Sequence, residues 1–295
     1  MRVSQLKYLL FIFFLFPLPG CKTMKEPEVK SPEILQVDPA TAAGKVRLIF
    51  YNMYLPTEMS RLFEKAGANY NPKILNSVEN ISRYEEKVKI ALNIGVYGVD
   101  LSYCRIFGQN AATAKYFSNI QLLYEKLGIP DAYYEDLIKA LEKYYNDKDS
   151  LAKLASEVFD KADRYLREND DDAYAAMIVA GGWVEALYLA CKIAESNPDN
   201  VEITERIAGQ KYSLNSLISL LSNYQEDVVI TEYILMLKGL KRSFDKIDIY
   251  YNQNNFELDT INKLISTTDY KIIISPEALK EINSMVCEIR SEIVN

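Results

Sequence analysis

An apolar spacing of three to four residues recurs from Pro56 almost to the end of the chain, and this period most constrains the fold. At this spacing residues return to the same face of an α-helix, whereas in a strand residues return to the same face every two positions. The period therefore indicates amphipathic α-helices. Proline and glycine interrupt it at short intervals, as in Gly128-Ile129-Pro130 and Asn197-Pro198-Asp199-Asn200, which indicates short connecting loops. The pattern predicts helices at residues 57–67, 82–107, 110–128, 132–146, 149–168, 172–196, 201–225, 228–248, 257–266 and 276–294.

Consecutive helices joined by short loops usually pack as antiparallel neighbours. The sequence therefore predicts an all-α fold, a single compact bundle of antiparallel helical hairpins with about ten helices. Two stretches look extended, Val46 to Tyr51 and Tyr270 to Ile274, and could pair as a minor two-stranded element. A tetratricopeptide solenoid is an alternative suggested by the Asn197 to Asn200 loop, although no period of about 34 residues recurs.

The first twenty residues have the pattern of a lipoprotein signal peptide. Two basic residues precede the short apolar run Leu9 to Leu18, and Leu18-Pro19-Gly20-Cys21 follows it. This ending resembles a bacterial lipobox, in which cleavage before the cysteine leaves Cys21 to carry the lipids. A chance cysteine after an ordinary signal is the alternative. We expect a signal peptide at 1–20, the lipidated cysteine and a flexible tether at 21–45, and a helical domain at 46–295.

The lipobox implies more than one acyl chain on Cys21, which would give stable attachment to a membrane. Lys22 stands where an inner-membrane retention signal more often has aspartate. We therefore expect a protein of the bacterial cell envelope that is anchored by lipid in the outer membrane and faces the periplasm.

Composition excludes several kinds of chemistry. The chain has no histidine, which removes His-dependent triads and His-ligated zinc. Without Arg2 and Lys7 it keeps 32 basic residues against 41 acidic ones, which argues against a nucleic-acid partner. The acidic run Glu168 to Asp172 lacks the glycine and the final glutamate of an EF-hand loop. We expect no metal site and no cofactor.

Three cysteines remain once Cys21 is lipidated, and all lie on predicted helices among apolar neighbours: Cys104, Cys191 and Cys287. An odd number permits at most one disulfide within the chain. Buried free thiols are the favoured state, since cysteine in such positions behaves as a small hydrophobe.

Three stretches carry a resemblance to a family: LPTEMSRLFEKAGANYNPKILN at Leu55 to Asn76, ALNIGVYGVDLSY at Ala91 to Tyr103 and GGWVEALYL at Gly181 to Leu189. They resemble recurrent blocks of a family of uncharacterised envelope lipoproteins from Bacteroidota. The resemblance implies an all-helical, lipid-anchored envelope protein over most of the mature chain. It implies no activity, ligand or catalytic residue.

Two predicted helices carry glycines in their interiors, Gly95 and Gly98 in one and Gly181 and Gly182 in the other. An interior glycine costs about 1 kcal/mol relative to alanine. We therefore expect these glycines to permit close helix packing, with residues 95–103 as the neighbour of the second helix.

Each of these helices also places an acid three residues before a tyrosine, so that both share one face. Buried carboxylates are rare unless paired or functional. The two helices could therefore meet around a polar pocket, whose candidate residues are Tyr97, Asp100, Tyr103, Trp183, Glu185 and Tyr188. The alternative is close packing alone, with Glu185 bound to Lys192 or to solvent, and Trp183 facing the core.

The sequence contains no nucleophile motif and no glycine-rich phosphate loop, and we assign no catalytic residue. We expect a protein that works by binding, with another envelope protein as its partner. A small-molecule or glycan ligand in a pocket of tyrosines and carboxylates is the second possibility. A hydrolase that uses Asp100 and Glu185 as acid and base is the third.

Overall fold

The computed structural model describes residues 67–133, 161–162, 164–251, 257–259, 264–266 and 270–295, which all belong to the unit Val37–Asn295. This part is mostly helical and has little strand, which confirms the mostly helical fold. Cys21 and the segments predicted as signal peptide and tether lie outside the described residues, as do all or most of the predicted helices 57–67, 132–146 and 149–168. The predicted total of about ten helices is therefore not confirmed.

The α-helices that lie wholly within the described part run over Lys87–Ile106 (α1), Asn110–Leu127 (α2), Asp172–Ser196 (α3), Val201–Leu221 (α4), Val228–Phe244 (α5) and Pro276–Val294 (α6). Short 3-10 helices occupy Pro72–Ile74, Val78–Arg83, Asp131–Tyr133 and Ser222–Tyr224. The bounds of α3 and α6 agree with the prediction at both ends. Helix α1 begins five residues later than predicted, because a 3-10 helix occupies Val78–Arg83 just before it.

Capping residues account for several of these helix ends. Asn200 and Ser275 accept hydrogen bonds from the backbone N–H groups of Ile203 and Ala278, which begin α4 and α6. Gly128 ends α2 in the left-handed conformation, with φ of 89°. The loop residues that were identified in the sequence therefore begin and end these helices as ordinary capping residues.

Two antiparallel strand pairs interrupt the helical pattern. Asp248–Tyr251 (β1) pairs with Tyr270–Ile273 (β4), and Glu257–Asp259 (β2) pairs with Leu264–Ser266 (β3). The prediction of a helix at 257–266 is therefore wrong: this segment and its flanks are rich in β-branched isoleucine and threonine, which favour strands.

The predicted extended stretch at Tyr270 to Ile274 is a strand, but its partner is β1, whose first residue was predicted to end the helix 228–248. The stretch first considered as its partner, Val46 to Tyr51, lies outside the described residues.

Helix α3 forms the centre of the described bundle. It packs against α1, α4 and α6, and most of its side chains are buried. Its length and hydropathy would suffice to cross a membrane, but 89% of its most apolar window is buried inside the protein. A helix that is apolar on all sides is expected at the core of a bundle.

The contacts of α3 show the direction of each neighbour. Along α1 and α3 the contacts advance together, from Lys87 with Asp171 to Asp100 with Glu185, so these two helices run parallel. Helix α4 is antiparallel to α3, since Ser213 of α4 and Tyr224 of the 3-10 helix that follows it bond Trp183 and Asp172 in reverse order. Helix α6 is antiparallel as well, because Arg290 and Asn283 bond Glu185 and Glu195. The predicted arrangement, in which consecutive helices form antiparallel hairpins, does not account for the parallel pair of α1 and α3.

Candidate functional site

The close packing of α1 against α3 depends on two glycines. A Cβ atom built on Gly181 would lie 2.0 Å from the carbonyl oxygen of Leu92, and one on Gly95 would lie 2.1 Å from the carbonyl oxygen of Ile178. Both contacts are with backbone atoms, which cannot rotate away. The prediction that residues 95–103 neighbour the glycines of the second helix is confirmed for Gly95, whose Cβ would lie 2.5 Å from the backbone nitrogen of Gly182, whereas Gly181 meets Leu92, just before this range.

The other two glycines have different surroundings. A Cβ on Gly182 would lie 3.5 Å from the carbonyl oxygen of Gly95, an ordinary contact distance. A Cβ on Gly98 would have nothing within 4 Å. The expectation of close packing at Gly98 is therefore wrong, since this residue is on a part of the α1 surface that α3 does not cover.

The two acids of these helices meet at the end of the glycine contact. Asp100 and Glu185 are both fully buried, and their carboxyl groups are close enough for a side-chain hydrogen bond between them to shift the pKa of each. Direct contact between two carboxyl groups requires a proton between them at neutral pH, because two buried like charges repel strongly. The hypothesis that the acids of the two helices lie together is thus supported by this geometry.

The partner that neutralises Glu185 is Arg290 of α6. Arg290 donates from Nε to Oε2 at 2.8 Å and from Nη2 to Oε1 at 3.0 Å, a bidentate pair. Its Nη2 also donates to the carbonyl oxygen of Ile74. The expected partner, Lys192, instead binds Glu195 at 2.9 Å.

The pKa shifts identify which acid carries the proton. Burial raises the pKa of Asp100 well above its usual value, and the nearby charge of Glu185 raises it further. Burial also raises the pKa of Glu185, but Arg290 opposes this shift. The proton therefore belongs on Asp100, which donates to the Glu185 carboxylate.

This assignment also accounts for the hydrogen bonds of Asp100. Its Oδ2 accepts from the backbone N–H of Asn76 at 3.0 Å. Its Oδ1 has no donor among the described residues. If Asp100 is protonated at Oδ1, this oxygen does not require a donor, because its own O–H group donates.

Asn76 is the polar centre beside this cluster, and sequence reasoning did not find it. Its side-chain amide donates to Tyr84 and Asn93, its side-chain oxygen accepts from Asn80, and its carbonyl oxygen accepts from Tyr116. The side chain is 2% exposed. Asn76 thus fixes the segment before α1 onto the cluster through both its backbone and its side chain.

In the structure, the remaining residues predicted to line the pocket do not lie together around one pocket. Tyr97 donates to the carbonyl oxygen of Ser77, and Tyr103 accepts from the backbone N–H of Asn71, so both hold the segment before α1. Trp183 faces the opposite side of α3, where its indole N–H donates to Ser213 of α4 at 3.2 Å. Its place in the pocket set is therefore wrong, and its place in the core is confirmed by an exposure of 1%.

A cavity of about 460 Å³ opens to solvent beside the cluster. Arg290, Tyr188 and Lys192 line it, together with polar residues that include Asn80, Ser291 and Asn295. Of the pocket candidates from the sequence, Tyr188 alone lies in this wall. The buried acids and the open cavity are therefore separate features, and Arg290 belongs to both.

The aromatic ring of Tyr188 lies against the two cationic side chains of the cavity wall, Arg290 and Lys192. The guanidinium carbon of Arg290 lies 4.3 Å from the ring centroid, and Nζ of Lys192 lies 5.6 Å from it. These are cation–π distances. Because Glu185 also fixes Arg290, the wall is held in place before any ligand arrives.

The arrangement limits the chemistry open to the acids. The two carboxyl groups of a glycosidase stand apart with substrate between them, at about 5 Å or more. Here they bond each other and are fully buried, so no substrate bond can lie between them. Within the described ranges, no group of three or more Cys, Asp or Glu side chains could hold a metal ion.

The three cysteines of the helical domain are free. Cys104 and Cys191 are buried as predicted, while Cys287 is partly exposed and lines the cavity. Burial raises the pKa of Cys104 to about 11, which keeps it a thiol at neutral pH.

Comparison of the chain with protein-family models, curated proteins and solved structures finds no match.

Proposed function

We propose that this chain is a lipid-anchored binding protein of the bacterial envelope, with a helical domain of about ten helices that faces the periplasm and binds a small polar ligand or glycan. The cavity beside Arg290 is the observation that carries the proposal. Its volume of about 460 Å³ falls within the range of small-molecule sites. A protein that acts only by binding requires a cavity of this kind and does not require a catalytic group.

The rigidity of the wall supports a binding role. Arg290 is held by Glu185 and by the carbonyl oxygen of Ile74, and its flat face lies against Tyr188. Side chains fixed in this way lose little conformational entropy when a ligand binds. The buried acids accordingly act as the support of the wall.

The anchoring part of the proposal rests on the sequence at Cys21. Cells grown with alkyne-labelled palmitate should label the wild-type protein and a Cys287→Ser variant, and should not label Cys21→Ala. Cys287→Ser is the matched control because it removes a partly exposed thiol of the helical domain. Label on the Cys21→Ala protein would refute the anchor.

The binding part is tested by site-specific photo-crosslinking in intact cells. A photoreactive phenylalanine analogue at Ser291 lies in the cavity wall, and the same residue at the exposed Lys238 of α5 is the control. A small adduct formed only at Ser291, identified by mass spectrometry of the intact protein, supports the proposal. Equal labelling at both positions, or none at Ser291, would contradict it.

An envelope protein as partner is the second candidate, and one surface favours it. Tyr250 and Ile273 are 55% and 47% exposed and lie on the same face of the β1–β4 pair. Exposed tyrosine is common at recognition surfaces. The photoreactive residue at Tyr250 should then capture one dominant protein, and the positions Ser291 and Lys238 should not.

A further inference from the structure

We propose that the cavity beside Arg290 and Lys192 receives one anionic oxygen group of its ligand, a carboxylate or a phosphate. The inference rests on the proposed function, since it specifies the chemistry of a small ligand at the same cavity.

Arg290 retains hydrogen-bond donors that the fold does not use. Its Nε and Nη2 donate to Glu185 and to the carbonyl oxygen of Ile74. Its Nη1 has no acceptor among the described residues, and a guanidinium nitrogen of this kind carries two N–H groups. Because Arg290 lines the cavity, a ligand there can accept from the remaining donors.

Lys192 supplies a second set of donors to the same wall. Its ammonium group binds one carboxylate oxygen of Glu195 at 2.9 Å and has three N–H groups in all. The side chain is 24% exposed, so water or a ligand can reach it. Both cations lie against the ring of Tyr188, which brings their donors to one part of the cavity.

The charges are arranged with the positive side towards the cavity. Glu185 is fully buried behind Arg290, and neither Glu185 nor Glu195 lines the cavity. None of the described lining residues has an acidic side chain, in a chain with a formal net charge of −7. A wall with two cationic side chains and no acidic side chain favours a ligand that brings a negative charge.

A set of three sugars tests the inference, because they differ in one group. Glucose is neutral, glucuronate carries a carboxylate and glucose 1-phosphate carries a phosphate. We expect at least one anionic sugar to bind about tenfold more tightly than glucose in calorimetric titrations at low ionic strength, the effect of one charge-assisted hydrogen bond. Comparison of the two anionic sugars, with inorganic phosphate as a further probe, distinguishes carboxylate from phosphate.

A matched pair of variants locates the binding. Lys192→Gln removes a cation of the cavity, and Lys241→Gln removes a lysine of α5 that pairs with Asp245 in a similar exposed ion pair. We expect Lys192→Gln to weaken binding of the anionic sugar about tenfold and Lys241→Gln to leave it within about twofold. The thermal midpoint of each variant verifies that it folds.

Equal affinity for glucose and the anionic sugars would overturn the inference, as would equal effects of the two substitutions. Binding of none of the anionic probes would overturn it as well. A ligand adduct at Ser291 in cells would in that case still support the proposed function, so the two failures can be distinguished.

Discussion

Arg290 of α6 binds Glu185 of α3 through two hydrogen bonds, at 2.8 and 3.0 Å, and Glu185 also accepts a hydrogen bond from Asp100 of α1. Three helices that are distant in the sequence therefore meet at two acids and one base. With one proton on Asp100 the cluster is electrically neutral. That proton is a structural component of the fold.

Replacement of each acid by its amide should change the stability of the protein by very different amounts. Glu185→Gln leaves Arg290 without its bidentate partner, and we expect a loss of about 3 kcal/mol in the free energy of unfolding. Asp100→Asn replaces a neutral acid by a neutral amide that can still donate to Glu185, and we expect a change of less than about 1 kcal/mol. Urea unfolding at pH 7 measures both. Equal losses would contradict the placement of the proton.

The double variant should reveal that the two acids substitute for each other. In Glu185→Gln, Asp100 can lose its proton and supply the missing negative charge to Arg290. In Asp100→Asn/Glu185→Gln no carboxylate remains beside Arg290, so we expect a loss about 1 kcal/mol or more beyond the sum of the single effects. Additive losses in the same urea titrations would refute this exchange of roles.

The pH dependence of stability should follow from the raised pKa of Asp100. The folded protein holds this proton at pH values where the unfolded chain has released it. The stabilisation is therefore complete below the unfolded pKa of about 3.9, and it is lost as pH rises through the folded pKa. Asp100→Asn has no such proton.

We expect the stability of the wild type relative to Asp100→Asn to fall as pH rises above about 4, by at most about 1.4 kcal/mol per pH unit, and then to level off. Urea unfolding of both proteins between pH 4 and 9 measures the difference, in which the other carboxylates largely cancel. A difference that is constant with pH would contradict the raised pKa.

The glycines of α1 and α3 should divide into two classes. Gly95→Ala and Gly181→Ala place a Cβ about 2 Å from backbone oxygens, and we expect each to cost at least about 2 kcal/mol. Gly98→Ala adds a methyl group in open space within a helix, and we expect a gain of about 0.5–1 kcal/mol. Thermal unfolding of the three variants gives the order, and a destabilised Gly98→Ala would contradict it.

Trp183 should report on the contact between α3 and α4, because it is the only tryptophan of the chain. Its burial predicts native fluorescence at shorter wavelength than in the unfolded protein. Ser213→Ala leaves the indole N–H without its acceptor, and we expect a loss of about 1 kcal/mol. Ser216→Ala, the same change on a less buried part of α4, should cost less.

The helical pattern was sufficient to predict α3 and α6 because their signals are local. A run of apolar residues defines α3, and a serine cap with Pro276 defines the start of α6. The pattern failed at 257–266, where spacing suggested a helix and β-branched residues favoured strands. Short segments carry both signals, so neither spacing nor composition alone decides them.

Sequence reasoning found the two acids and missed their base. The glycines and the apolar surroundings of Asp100 and Glu185 indicated that the two helices meet. Nothing local identified Arg290, which lies on an amphipathic helix with other charged residues. A buried carboxylate predicts that a cation exists, but only tertiary structure shows which one.

The parallel packing of α1 against α3 has a consequence for the order of folding. Consecutive helices such as α4 and α5 can associate soon after they form, because the chain between them is short. The contact of Gly95 with Gly182 must wait until a long intervening stretch has closed, and such distant contacts slow folding. Formation of this contact, and not of the helices themselves, is therefore expected to limit how fast the domain becomes native.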